Sequence, residues 1–552
     1  MKLDLDRVLA TARAWSAQDP DDETRTELDA AVAAASTGDG PAVRELHARF
    51  AGRLAFGTAG LRAELGYGPL RMNRVVVTQA AAGLARFLID SGRSHSVVIG
   101  YDGRVNSDVF ARDSAEVMRG LGLNVTLLPS ALPTPVLAFA VRHLGVGAGV
   151  MVTASHNPPR DNGYKVYLGE ADEGSQIVPP VDATIADAID VVAAGSIVDL
   201  PRATDYTVAG PELLDAYVGA TAATVPAPAL GVDAQPKVVY TAMHGWETAR
   251  AVFERAGYAV PDTVPEQIGP DGAFPTVSFP NPEEPGAMDL AVARGVAAGA
   301  DLVIANDPDA DRLALAIPDG AGSFRRLSGN EVGWLLGWQA AARASADGRG
   351  GTLAASIVSS PALARVAERH GLGYRDTLTG FKWVSRVPDL VFGYEEALGY
   401  LVDPDVVRDK DGISAALALL DLATTLAAAG QTIADRLEAF AAEFGAFASG
   451  QVATRVDDLS RIGEIMAALR SDPPSSLGPV AVRSVTDYAD GADGFPPSDI
   501  LRYDLEGDAR VIVRPSGTEP KVKVYIDTVA ATPAEAQSLV DALADAVRPL
   551  VS

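Results

Sequence analysis

Three carboxylates alternate at Asp307, Asp309 and Asp311, directly behind the apolar run at 302–305. On a single turn, carboxylates at i, i+2 and i+4 can converge on one hard cation, and oxygen-only ligation suits Mg²⁺. The EF-hand pattern does not fit, because its glycine and glutamate places fall on Arg312 and Pro318. An aspartyl-phosphate phosphatase would carry Thr or Val where the third Asp stands. A solvated acidic turn is the plainer alternative. A second loop, VTASHNPPRDNGYKVY at 152–167, places Ser155 just behind another apolar run and Lys165 a little further on. Lysine is a point charge suited to a phosphoryl group. The nucleophile-elbow pattern G-x-S-x-G is absent, so no hydrolase triad follows. His156 adjoins Ser155, and sequence neighbours rarely hydrogen-bond as a catalytic pair requires.

Two further loops carry charge and hydroxyls. RPSGTEP at 514–520 combines Arg514, Ser516, Gly517 and Thr518 between strand-like runs at 510–513 and 522–526. Free backbone N–H groups, two hydroxyls and a guanidinium form a nest suited to holding a phosphate that does not react. GYEEALGY at 393–400 offers Glu395 and Glu396, suited to gripping hydroxyls or moving protons. FGTAGLR at 56–62 contributes Arg62, and TGFKW and RDKDG place Lys382 and Lys410 near the glutamate loop in sequence. Taken singly these are weak signals. Together they describe phosphoryl transfer on a sugar phosphate, where catalysis is mainly positioning and charge neutralisation.

Positioning such loops requires α/β layers. Strand-length apolar runs at 96–101, 124–128, 147–152, 237–241, 302–305, 352–357 and 390–393 alternate with helical patterns at 75–90, 111–120, 290–298, 331–344 and 414–429. Three similar α/β units with mixed or largely parallel sheets are expected. The first 50 or so residues read as helical, with Asp19 or Asp22 as a cap. A faint threefold echo (VVIGYD, VVYTAM, LAASIV) opens three units, each of which later runs from a strand into one of the loaded loops. Ligands of open α/β sheets bind beyond the carboxyl ends of strands, so three such units would face one cleft. The expected division is 1–212 (N-terminal helices and the serine loop), 213–322 (the aspartate loop), 323–446 (the glutamate loop) and 447–552, a smaller α+β domain with the phosphate nest.

The chain has 552 residues, 48% apolar and 21% charged, with no cysteine. Disulfides, thiolate metal sites and cysteine nucleophiles are thereby excluded. A net charge of −26 repels nucleic acid and anionic membranes. No signal peptide or membrane span is read, and the expected protein is cytoplasmic, a monomer or homodimer acting on a small sugar phosphate.

With TASHNP, DPDADR, YEEALG and RPSGTEP in this order, the sequence resembles the α-D-phosphohexomutase superfamily, the phosphoglucomutase and phosphomannomutase enzymes. FGTAGLR, GYDGR at 100–104 and TGFKW match further family segments, so the resemblance runs from about residue 56 to 526. The acidic stretch 19–25 and the segment 270–291 resemble the branch that holds bacterial phosphoglucomutases, broad phospho-sugar mutases and animal phosphopentomutases.

The resemblance implies an intramolecular phosphotransferase. Ser155 would be the phosphoserine; Asp307, Asp309 and Asp311 would hold Mg²⁺, completed by a Ser155 phosphate oxygen. Arg62, Lys165 and Arg312 would offset the negative charge, with His156 and Lys410 also in the catalytic set. Lys165 and Lys410 are both candidates for the general base. Arg514, Ser516, Gly517 and Thr518 would bind the non-transferring phosphate, and Lys382, Glu395 and Glu396 the sugar. The implied relay passes through a sugar 1,6-bisphosphate, which would also activate the enzyme, and the fourth unit would close on the cleft. Hexose 1- and 6-phosphates are the expected substrates, glucose before mannose, with phosphopentomutase as the alternative. A non-catalytic sugar-phosphate sensor and a plain phosphatase are remote rivals. Two departures stand out: Ala397 where many members have serine, and Tyr394 in place of a glycine.

Overall fold

Three helices open the chain, Leu5–Ser16, Asp22–Ser36 and Gly40–Arg49. The second is capped by Asp21, whose Oδ1 accepts from Glu23 N at 2.9 Å. Neither expected residue fills that role. The carboxylate of Asp19 is buried and occupied by Asp21 N at 3.0 Å and Thr24 Oγ1 at 2.8 Å. Apolar faces of these helices (Val8, Leu9, Trp15, Leu28, Leu46) join one core with Val75, Val77 and Leu84 of the next layer. The computed structural model describes residues 5–456, 458, 460–516 and 521–551. It divides into two units, Met1–Arg326 with Gly399–Thr425, and Leu327–Leu398 with Leu426–Ser552.

The first unit holds two sheets. In the larger, Ser96–Tyr101 lies between Asn124–Leu127 and Ala148–Val152, parallel to both. The far side of Ala148–Val152 carries Asp161–Leu168 and then Leu61–Glu64, each antiparallel to its neighbour. Helix Arg74–Asp90 begins at Asn73, which accepts from Val76 N at 3.0 Å, and is buried along most of its length despite its valines. Tertiary burial overrides the low helix propensity of β-branched residues there. In the smaller sheet Val238–Thr241 runs parallel to Leu302–Asn306. Leu302–Asn306 returns as the antiparallel Leu313–Pro318, so the three aspartates occupy the turn of a hairpin. Both sheets are therefore mixed rather than largely parallel, because short loops force the strand after each site to return beside the one before it.

In the second unit Thr352–Ser356 runs parallel to Gly373–Thr377 and to Leu390–Glu395. Helix Gly329–Ala346 starts on a capping box between Ser328 and Glu331. The C-terminal sheet is antiparallel throughout, in the order Ala446–Arg455, Lys521–Ala530, Arg510–Pro515, Leu501–Leu505, Val480–Asp487, Ser476–Leu477. Helices Ser460–Ser471 and Pro533–Val547 contribute Ile465, Met466, Val540 and Leu543 to its core. Three α/β layers and a smaller α+β domain are thus the architecture that the sequence pattern implies. Among the described residues no single helix is long and apolar enough to cross a membrane.

Candidate active site

The serine loop leaves the end of Ala148–Val152 and returns as Asp161–Leu168. Ser155 adopts φ +52°, a left-handed conformation that costs a non-glycine residue about 1 kcal/mol or more and persists only when its surroundings impose it. Thr153 Oγ1 accepts from Ser155 N at 2.8 Å and donates to Asp102 Oδ2 at 2.6 Å. The buried guanidinium of Arg104 donates to four carbonyls of the loop: Ser155 and Asn157 at 2.6 Å each, Pro158 at 2.8 Å and Asp161 at 3.0 Å. Burial lowers the Arg104 pKa and the Asp102 charge works to raise it, so the two form a buried ion pair in which Nη1 and Nη2 carry the clamp and Nε lies 3.5 Å from Asp102 Oδ2.

That clamp presents the hydroxyl of Ser155 to the aspartates. Ser155 Oγ donates to Asp307 Oδ2 at 2.7 Å. The adjacent His156 does reach it, with Nδ1 at 3.1 Å from Oγ, against the expectation from sequence adjacency. The unusual backbone of Ser155 turns the two side chains toward each other. Burial, then the charges of Arg312 and Arg62, push the His156 pKa well below its ordinary value, so the ring is neutral.

Asp307, Asp309 and Asp311 are all buried, and one carboxylate oxygen from each lies within 4.8 Å of the others. A left-handed Ala310 (φ +53°) closes the turn. Asn306 ties its base, donating to Arg312 O at 2.6 Å and accepting from Tyr240 at 2.9 Å. Lys165 Nζ donates to Asp309 Oδ2 at 2.7 Å and Asp311 Oδ2 at 2.8 Å. Thr134 Oγ1 donates to Asp309 Oδ2 at 2.7 Å, and Lys410 Nζ lies 3.2 Å from Asp311 Oδ2. After all these contacts, Oδ1 of Asp309 and Oδ1 of Asp311 remain buried with no hydrogen-bond partner among the described residues. Buried polar atoms are rarely left so. Two orphaned carboxylate oxygens beside a third carboxylate fit a hard divalent cation, and the residues present are suited to hold one.

The electrostatics agree. Burial, reinforced by Asp309 and Asp311, raises Asp307 well above the usual carboxylate range. Burial also opposes ionisation of Asp311, but Lys165, Lys410 and Arg312 outweigh it and hold Asp311 below that range. Lys165 is desolvated, yet the two aspartates raise it, which makes it a fixed cation at neutral pH. Arg62 donates to Asn157 Oδ1 at 3.0 Å, and Arg312 N donates to Asp307 Oδ1 at 3.0 Å. The first unit therefore brings together Arg62, Ser155, His156, Lys165, the three aspartates and Arg312, and adds Lys410, which the sequence reading places with the glutamate loop and the fold carries here in the segment Gly399–Thr425.

The second unit gathers a different set. Glu395 Oε1 accepts from Gly380 N at 2.6 Å, which joins the glutamate loop to the segment bearing Lys382. Glu396 Oε2 lies 3.1 Å from Ser356 Oγ and 3.0 Å from Ser359 Oγ, so this carboxylate braces its own loop. Tyr394 points inward, and its hydroxyl donates to Asn330 Oδ1 at 3.0 Å. Ala397 is half-buried beside the pair. Arg514 donates to Thr379 Oγ1 at 2.6 Å, and Ser516 N closes on Lys521 O at 2.8 Å. Gly517 and Thr518 lie outside the described residues.

Sequence reasoning missed four site residues: Asp102, Arg104, Thr134 and Thr153. Arg104 and Asp102 sit in GYDGR, where the charged pair behind a strand was a signal. Nothing local marks Thr134, whose contact with Asp309 spans 175 positions.

Comparison with known proteins matches the chain in four segments. Residues 53–194, 215–320, 328–444 and 454–546 match, in order, the families described as phosphoglucomutase/phosphomannomutase alpha/beta/alpha domains I, II and III and C-terminal domain. A Haemophilus influenzae protein named "Probable phosphomannomutase" is 52% identical over 87% of this chain and 98% of its own length. A Mus musculus "Phosphopentomutase" is 34% identical over 88% of this chain and 85% of its own. A Thermus thermophilus crystal structure titled "putative phosphomannomutase" superposes with a TM-score of 0.68 at 25% identity, covering 91% of this chain and 99% of that one.

Proposed function

The chain belongs to the phosphoglucomutase/phosphomannomutase family and is an isomerase of that type, and we propose that it interconverts hexose 1-phosphate and hexose 6-phosphate, with glucose phosphates first and mannose phosphates also used. The observation that carries this reading is Ser155 Oγ, presented at 2.7 Å to a buried aspartate trio that retains two unbonded oxygens. The 52% identity to the protein named "Probable phosphomannomutase" supports a hexose.

In this reading Ser155 carries a phosphoryl group. Asp307, Asp309 and Asp311, with a phosphate oxygen on Ser155, would hold Mg²⁺, which when bound would supply positive charge to offset the phosphoryl group. Arg62, Lys165 and Arg312 add fixed cations around the serine phosphate, and the Arg104 clamp fixes the serine so that no reorganisation is needed at transfer. The P–O bond to serine breaks as the sugar hydroxyl oxygen bonds to phosphorus, and the hydroxyl proton ends on the serine oxygen, giving a sugar 1,6-bisphosphate and free Ser155. The reverse transfer from its other phosphate restores phosphoserine. The four segments 1–212, 213–322, 323–446 and 447–552 each bring one loop, the second pair supplying Glu395, Lys382 and the cradle of Arg514, Ser516, Gly517 and Thr518. Pentose phosphates are the second reading, supported by the 34% identity to the mouse "Phosphopentomutase".

The test is turnover of glucose 1-phosphate, mannose 1-phosphate and ribose 1-phosphate with Mg²⁺ and a trace of glucose 1,6-bisphosphate, for the wild type and Ser155→Ala. Fast hexose turnover that Ser155→Ala abolishes is expected. Hexose silence with ribose turnover would establish the second reading, and full activity of Ser155→Ala would overturn the phosphoserine.

A further inference from the structure

The Ser155 loop and the aspartate turn come from different sheets, and the segment 265–277, which neither contains, is wedged between their supports. On one side Phe274 lies under the Arg104 guanidinium, 4.9 Å from its carbon to the ring centroid. Arg104 is the residue that grips four carbonyls of the Ser155 loop. The backbones close up at the same point: a Cβ on Gly272 would stand 2.7 Å from Val105 N and 2.9 Å from Gly103 O.

Phe274 also meets His244 in a T-shaped contact, ring centroids 6.0 Å apart at 85°. His244 belongs to a turn in which Met243 and His244 both have left-handed backbones, φ +46° and +63°. This turn abuts the aspartate loop so closely that a Cβ on Gly245 would stand 2.3 Å from Pro308 O. Its position is fixed by the same wedge, through His244 N to Gln267 O at 2.9 Å and His244 Nε2 to Thr276 Oγ1 at 2.7 Å. Gln267 Nε2 donates to Thr276 Oγ1 at 2.9 Å, and Gln267 Oε1 accepts from Thr241 Oγ1 at 2.7 Å. Phe274 is itself buried and left-handed, φ +48°. Backbone strain at three residues of one contact persists only where packing over-determines it.

We propose that Phe274 is a positioning residue that sets the separation between Ser155 and Asp307, Asp309 and Asp311. Its ring seats the Arg104 clamp through a cation–π contact and the His244 turn behind Pro308 through a T-shaped one, so one side chain bears on both loops. It touches no expected substrate group. Loosening it should lower the rate of transfer and leave substrate affinity in place, because a displacement near 1 Å costs on the order of 100-fold in rate.

The inference rests on the reading of Ser155 as the phosphoryl carrier. The experiment measures kcat, KM for the hexose 1-phosphate and the half-activating Mg²⁺ concentration for Phe274→Ala, Phe274→Tyr and Thr276→Val. For Phe274→Ala, kcat falls about tenfold or more, KM stays within about twofold, and more Mg²⁺ is needed for half-activation. Phe274→Tyr keeps the ring and recovers most of kcat. Thr276→Val, which removes the hydrogen bond at His244 Nε2 without emptying the core, shows the same split at smaller size and decides the matter if Phe274→Ala does not fold. Unchanged kcat in both Phe274→Ala and Thr276→Val, or a loss confined to KM, overturns the inference. Phosphate on Ser155, read by intact mass in the wild type, separates the two failures: an active enzyme that never phosphorylates Ser155 removes the premise, whereas a phosphorylated one indifferent to Phe274 removes only this proposal.

Discussion

Lys165→Met tests the charge arithmetic of the aspartate turn. Lys165 is 7% exposed at its side chain and bridges two aspartates whose side chains are at most 1% exposed. Methionine fills nearly the same volume without the charge, so packing is preserved while the ion pairs vanish. Asp309 then retains the Thr134 hydroxyl and Asp311 retains Lys410, at 2.7 and 3.2 Å. Removing one partner of a buried ion pair costs about 3–5 kcal/mol. In EDTA the variant should therefore lose about that much in urea unfolding of the first unit. A divalent cation brings positive charge back to the same carboxylates. The wild type gains from Mg²⁺ as well, so the deficit shrinks by RT ln of the ratio of the two Kd values; with Lys165 no longer competing for the carboxylates, a variant that binds Mg²⁺ about 100-fold more tightly recovers about 2.7 kcal/mol, most of the deficit. The decisive quantity is the difference between the EDTA and Mg²⁺ deficits. Equal deficits in the two buffers would refute the argument that lysine and cation neutralise the same charges. A variant as stable as wild type in EDTA would refute the claim that Lys165 is what makes the metal-free trio tolerable.

Two other buried charges make separable predictions. Burial raises Asp411 to about 6 from 3.8, although Ile413 N, Ser414 N and the Tyr217 hydroxyl all donate to it. Because the folded state holds this proton more tightly, stability falls as pH rises from about 4 to 6, by roughly 3 kcal/mol at the usual 1.36 kcal/mol per unit. Asp411→Asn keeps the cap acceptor and removes the charge. Urea unfolding should show it more stable at pH 7 and flat across that window, and a retained slope would contradict the assignment. In the second unit Arg510 pairs with Asp527 at 2.9 Å and also donates to Ser359 O. Arg510→Met should cost about 3–5 kcal/mol, and Arg510→Met with Asp527→Leu should restore much of it. Additive losses in that double-mutant cycle would show that the two charges act independently.

What could be read from the sequence depended on how local the chemistry is. A cation needs three carboxylates at fixed spacing, so Asp307, Asp309 and Asp311 announce themselves within five positions, and Ser155 stands beside a turn that its prolines mark. The apolar runs of Ser96–Tyr101 and Leu302–Asn306 were equally plain, because both strands are buried on both faces. Asp161–Leu168 is as deeply buried, yet Lys165 turns to the aspartates and Asn162 to Val105 O and Ser107 Oγ, and both break the apolar pattern that would have revealed it. Cap positions slipped for a different reason: Asp19, Asp21 and Asp22 are chemically alike, and only the fold decides that Asp19 turns inward. Least legible were the groups that hold the chemistry in place. Arg104 grips residues 51 to 57 positions away, Thr134 serves Asp309 across 175, and Phe274 spans two loops to which it does not belong. A guanidinium and a phenyl ring have many ordinary uses, so their types carry no signal until the chain has brought them together. The sequence therefore shows the atoms that react more readily than those that fix their distances, and the rate of transfer depends on both.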